Sequence, residues 1–191
     1  MVVASRSRFD TMDLPALNIT ADFFSLLNLP QRQALDAVQL ETNFRELQAR
    51  VHPDRHVRAS DADQRLAMQW ASRVNEAFQT LREPLRRANY LLGLKGHDTG
   101  LESNTAMPVE FLMAQMELRE GVADARESGN EEALDQFRDG IAAEMKSEYA
   151  QLETLIDLQA DFSAASNLVR QLMFQQKLLS EIDDALVAVV D

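Results

Sequence analysis

The sequence predicts an all-α protein in two helical units. The first is a helical hairpin with two short helices, and the second is an antiparallel three-helix bundle. Three observations lead there. Apolar residues recur at steps of three and four over long stretches, the period of one helical face. Strict apolar-polar alternation is absent and β-branched residues are sparse, so nothing reads as a strand. Glycine, proline and asparagine gather at a few points and leave the periodic stretches nearly uninterrupted.

Taken in order, Met1 to Ile19 shows no sustained periodicity. It carries Arg6 and Arg8 but no apolar core long enough for a signal peptide, so residues 1–19 are expected to be a flexible extension, with Met12 an alternative start. A short helix, Asp22 to Leu27, precedes Leu29-Pro30. The next helix runs from Asp36 to Val51, with Leu40, Phe44, Leu47 and Val51 on one face. Another runs from Asp63 to Leu81, with Leu66, Trp70, Val74, Phe78 and Leu81 on one face. These two pack as an antiparallel hairpin. A fourth helix starts at Pro84, which suits a first-turn position, and stops near Leu92 before Gly93.

Three of the six glycines fall between Gly93 and Gly100, which marks a boundary. The expected organisation is an extension at 1–19, a first domain at 20–94, a linker at 95–107 and a second domain at 108–191. In the second domain a helix opens at Pro108, with Asn104 and Thr105 as candidate caps, and breaks at Ser128-Gly129-Asn130. A second helix, about 131–157, carries Leu134, Phe137, Ile141, Met145, Leu152 and Ile156 on one face. The last, from about Asp161 to Val189, carries Leu168, Leu172, Leu179, Ile182 and Leu186.

Composition narrows the function. There is no cysteine, which excludes disulfides, thiolate catalysis and cysteine-ligated zinc or iron–sulfur centres in this chain and fits a reducing cytoplasm, the expected location. No run of about 18 apolar residues is present to span a membrane. Residues 1–94 hold 12 Lys and Arg against 11 Asp and Glu, a net of +1, whereas residues 95–191 hold 7 against 20, a net of −13. So acidic a second half argues against nucleic acid, which needs concentrated cations. It suits a solvated helical surface or a basic or metal-bearing protein partner. Neither GxxxxGK[ST] nor GxGxxG occurs, so no nucleotide loop is legible.

His52-Pro53-Asp54 stands in the loop of the hairpin. Pro53 fixes its own backbone angle, lacks an N–H and turns His52 away from helical geometry, which exposes the tripeptide. One reading is a helix stop with Asp54 making a turn bond. Another is a metal-dependent hydrolase using His52, Asp54 and His56, but Pro53 breaks the helix that a four-residue histidine spacing requires, and a hairpin tip offers no pocket. No metal or cofactor is expected.

The surroundings decide between these readings. The stretch Phe44-Arg45-Glu46-Leu47-Gln48-Ala49-Arg50-Val51-His52-Pro53-Asp54-Arg55 resembles the second helix and signature loop of a J-domain. Asn75-Glu76-Ala77-Phe78-Gln79-Thr80-Leu81-Arg82-Glu83-Pro84 and Arg86-Arg87-Ala88-Asn89-Tyr90 resemble that domain's third and fourth helices. Val51 stands where a tyrosine is common and Arg55 where a lysine is usual; both keep the physical character. The resemblance implies that Arg45, Arg50, His52, Pro53, Asp54 and Arg55 bind a DnaK-type chaperone and stimulate its ATPase.

The helix from Pro108 has more apolar residues than one face needs. At about 100° per residue, Ala114, Leu118, Val122 and Ala125 lie within about 60° of Phe111 and form an ordinary core face. Leu112, Met113 and Met116 lie off it, beside Glu120. On the last helix Phe174 and Met173 similarly miss the core face. Such residues pack on a neighbouring element or form an exposed patch, where methionine adapts its shape to a partner. The stretches Pro108-Val109-Glu110-Phe111-Leu112-Met113-Ala114-Gln115-Met116-Glu117-Leu118-Arg119-Glu120 and Leu168-Val169-Arg170-Gln171-Leu172-Met173-Phe174-Gln175-Gln176-Lys177-Leu178 resemble the C-terminal domain of the HscB family, J-type co-chaperones of bacterial iron–sulfur cluster assembly. The resemblance implies that Leu112, Met113, Met116, Glu117, Glu120 and Phe174 bind the scaffold protein IscU, that the partner ATPase is HscA, and that this chain is not itself an enzyme. The competing expectation is a general J-protein that presents unfolded clients.

Overall fold

The computed structural model describes residues 18–52, 54, 60–97, 99 and 107–190, with the side chains of 189 and 190 excepted. Among them are seven α-helices and no strand: α1 Phe23–Leu26, α2 Ala37–Val51, α3 Asp61–Arg82, α4 Pro84–Leu94, α5 Val109–Glu127, α6 Glu131–Glu153 and α7 Phe162–Val190. The N-terminal extension expected at 1–19 lies almost wholly outside the described residues. Two compact units divide within α4, after Arg87.

In the first unit α2 packs on α3, and α1 packs on α3 as well. Side-chain caps set where the helices begin. Asp36 accepts from the N–H groups of Val38 and Gln39 at the start of α2. Ser60 accepts from Asp63 N–H and returns its hydroxyl proton to the Asp63 carboxylate, so α3 starts two residues earlier than its apolar period indicates. The core holds Phe24, Leu27, Leu47, Val51, Trp70, Val74 and Leu81. Phe44 and Phe78 are half-buried and stack with ring centroids 4.0 Å apart. Asn43 donates to the Leu27 carbonyl at 2.7 Å, tying α2 to the end of α1. Arg87 is buried and donates to the Leu81 carbonyl in the last turn of α3 at 2.7 Å.

The end of α4 differs from expectation. The helix passes through Gly93 to Leu94, and the left-handed residue is Gly96, at φ +78°. His97 N–H then bonds back to the Leu92 carbonyl at 2.9 Å and closes the helix end.

In the second unit α6 packs on both α5 and α7, and α5 also meets α7. Asn130 caps α6 by accepting from Ala133 N–H, after a left-handed Gly129. Asn104 and Thr105 lie outside the described residues, and the cap position of α5 is Pro108, without a side-chain bond. The helix expected to 157 changes at Thr154 into a π-helical turn, Thr154–Gln159, which ends at left-handed Ala160. Asp161 then caps α7. Gly121 of α5 lies against Phe137 of α6: a Cβ there would sit 2.7 Å from Phe137 Cζ, so a side chain at this position would have to displace the Phe137 ring. Thr99 is buried; its hydroxyl donates to Asn89 at 2.6 Å, and its carbonyl accepts from Arg170 of α7 at 3.2 Å.

Assignments change on the faces of two bundle helices, α5 and α7. Ala114 is exposed and Gln115 is buried in its place. Relative to Phe111, Gln115 lies about 40° round the helix and Ala114 about 60° on the other side, and the neighbouring helices take the Gln115 side. On α7, Leu179 and Leu186 are only half-buried, while Leu178 and Ala185 are buried and line a groove with Val122 of α5.

Candidate functional site

The hairpin loop follows directly from the end of α2. His52 terminates the helix in extended geometry, with its side chain about half exposed and that of Asp54 at 84%. Asp54 N–H donates to His52 Nδ1 at 3.2 Å, and the Asp54 carboxylate stands 3.6 Å from the same nitrogen. The imidazole is thus held by its neighbour at one nitrogen. Pro53, Arg55 and His56 lie outside the described residues. Of the expected cations, Arg45 is exposed and pairs with Glu41 one turn back, and Arg50 is half-buried. Among the described residues no group of three His, Cys, Asp or Glu side chains is placed to hold a metal ion.

The second candidate site lies on α5. Leu112 is 37% exposed, Met113 58% and Met116 70%, and Glu117 and Glu120 are exposed beside them. Helical spacing puts Leu112, Met116 and Glu120 in one row and Met113 and Glu117 in the next. Phe174 of α7 differs from the others: it is half-buried and meets Phe111 edge-on, with centroids 6.2 Å apart. It borders the patch through Phe111, the residue before Leu112. Val109 and Met173 are exposed apolar residues on the same two helices. The sequence signalled Met173 by its angle, whereas Val109 gave no separate signal.

Electrostatics add a feature that periodicity did not reveal. Burial pushes the Glu148 carboxyl of α6 above the usual glutamate range; Glu144 one turn back adds to this, and a hydrogen bond from Gln175 of α7 partly opposes it. Asp22, at the start of α1, goes the other way. Burial would raise it, but hydrogen bonds from the Ser25 side chain and backbone, Gln31 and Phe24 together hold it below the usual range.

Residues 107–183 match the model of the HSCB C-terminal oligomerisation domain. The chain is 47% identical over 173 residues to a co-chaperone protein HscB homolog of Aromatoleum aromaticum, covering 91% of this chain and 98% of that one. It is 50% identical over 159 residues to the HscB homolog of Burkholderia cenocepacia, covering 83% and 90%. The structure of the chaperone HscB from Vibrio cholerae superposes with a TM-score of 0.78 at 36% identity, over 88% of this chain and 99% of that one. Human co-chaperone protein HscB gives a TM-score of 0.82 at 26% identity, over 87% and 83%. With an all-helical fold of an N-terminal J-domain and a C-terminal helical bundle, and with relatives matched along nearly their whole length, the chain belongs to the HscB family of co-chaperones.

Proposed function

We propose that the chain binds the iron–sulfur scaffold IscU through its C-terminal bundle, delivers it to the DnaK-type chaperone HscA, and stimulates the ATPase of HscA through the His52-Pro53-Asp54 loop. Arg45, Arg50 and Arg55 steer that docking, and Leu112, Met113, Met116, Glu117, Glu120 and Phe174 contact the scaffold. The role has no catalytic step of its own in this chain, needs no cofactor, and places the protein in the cytoplasm, which the lack of cysteine fits.

The observation that carries this reading is the row of exposed apolar side chains on α5, Leu112, Met113 and Met116, with carboxylates beside them. Apolar side chains left in water by a folded bundle are what a partner surface recovers. Calorimetric titration of IscU against the wild type and the Leu112→Ala/Met113→Ala/Met116→Ala variant tests it. We expect the variant to lose about 2–4 kcal/mol of binding, roughly thirty- to a thousandfold in affinity. Its melting temperature should stay near wild type, because none of the three fills the core. Normal binding by the variant removes the patch. Equal binding of denatured proteins and folded IscU would favour a general client-presenting co-chaperone instead.

A further inference from the structure

At the α5 patch the bundle is inverted. Leu112, Met113 and Met116 face solvent, while Gln115 among them is 7% exposed, and Gln175, next to Phe174 on α7, is 1% exposed. The carboxyl of Glu148 on α6 reaches inward to meet the Gln175 amide. Each of these three side chains keeps one buried oxygen without a hydrogen-bond partner: Gln115 Oε1, Glu148 Oε2 and Gln175 Oε1. All three atoms are acceptors, whereas the unpartnered buried donor on α7, Arg170 Nε, belongs to a different side chain, and an unpaired buried acceptor costs stability.

The charged and polar groups around Glu148 identify the missing donor. On its own helix Glu144 is a second carboxylate, whose charge opposes ionisation. From α7 comes Gln175, which is uncharged. No cation is among the groups that act on it. A proton on Glu148 supplies the donor. The carboxyl O–H can then donate to the Gln175 amide oxygen while the Gln175 amide N–H donates back to the other carboxyl oxygen, which pairs two of the three orphans at once.

We propose that Glu148 makes docking at the α5 patch proton-linked: covering Phe174, whose chain neighbour Gln175 bonds the Glu148 carboxyl, withdraws water from that half-buried carboxyl and drives it to take up one proton from water. The coupling route is short. Phe174 precedes Gln175 in the chain and packs on Phe111, which precedes Leu112. The inference rests on the reading that this patch binds IscU.

The test is calorimetric titration of IscU near neutral pH in phosphate and in Tris, whose ionisation enthalpies differ, with wild type and Glu148→Gln. Wild type should show a larger difference in apparent enthalpy between the buffers than Glu148→Gln does. Its affinity should also rise as pH falls, by at most about tenfold per pH unit for one linked proton. Glu148→Gln should bind with an affinity that no longer follows pH in this way. Glutamine supplies the N–H donor permanently, so this variant should keep the fold. Thermal melts without partner form the second arm: wild type should lose stability relative to Glu148→Gln as pH rises. Binding by both proteins with the same buffer and pH dependence overturns the coupling and leaves the scaffold reading standing. Failure of wild type to bind in any buffer removes the scaffold reading and the coupling with it. The melts then show separately whether the buried carboxyl holds a proton.

Discussion

At the scale of single residues, His52 carries the sharpest expectation. It is exposed and held by Asp54 at one imidazole nitrogen, and it fills no core position. His52→Gln should therefore leave the fold and melting temperature unchanged while abolishing stimulation of HscA. Single-turnover ATP hydrolysis by the chaperone measures this, and normal stimulation would sink the role assigned to the loop. Stimulation by the wild type should weaken as salt rises if Arg45, Arg50 and Arg55 steer docking as proposed, because salt screens their field. Phe174 belongs to a different class from the α5 patch residues. Its ring packs edge-on against Phe111, so Phe174→Ala should lower bundle stability by about 1–3 kcal/mol as well as weaken scaffold binding. The angular argument placed Phe174 off the core face, which is right for the α7 axis. It could not show that Phe111 of another helix covers the ring. Gln115 and Gln175 were illegible for a related reason: a polar residue at a core position looks like a surface residue until the packing helix is in place.

At the scale of elements, apolar periodicity located α2, α3, α5, α6 and α7, Pro84 and Gly93 marked α4, and caps and breakers placed most ends within a residue or two. The exceptions have physical causes. The start of α3 is set by a hydroxyl-to-backbone bond from Ser60 and not by an apolar residue. The π-helical turn at Thr154–Gln159 shifts the backbone bonding by one residue and leaves the apolar spacing of Leu152 and Ile156 intact, so it is silent in sequence. Where α5 meets α6, the Phe137 ring lies against Gly121, which the periodic pattern passed over. Gly121→Ala should gain about 1 kcal/mol in helix propensity. It should lose more through the collision with Phe137, for a net cost of about 1–2 kcal/mol. Urea denaturation checks the sign, and adding Phe137→Leu to that variant should recover part of the loss. A stabilising Gly121→Ala would show that the ring yields freely.

At the scale of the whole molecule, the charge imbalance between the halves accompanies opposite responses to pH. The depressed Asp22 contributes stability that is present above its unfolded pKa and lost as pH falls through its folded one. The raised Glu148 has the opposite sign: its contribution is complete below its unfolded pKa and lost as pH rises through the folded one. Acidification from neutrality to about pH 5 should therefore firm the C-terminal unit while leaving the Asp22 contribution in place. Hydrogen exchange resolved along the chain should show slower opening in α6 and α7 and little change in α1; the same shift in both would contradict the assignment. The chain's one tryptophan gives these linkages a simple readout. Trp70 is buried in the first unit, and both tyrosines, Tyr90 and Tyr149, fall in the second. Excitation at the red edge of protein absorption therefore lights only the first unit, with no engineered dye. A shift of its emission toward longer wavelength marks the opening of that unit alone, while ellipticity follows both. Wherever the two curves separate, the melting of the second unit can be read by difference.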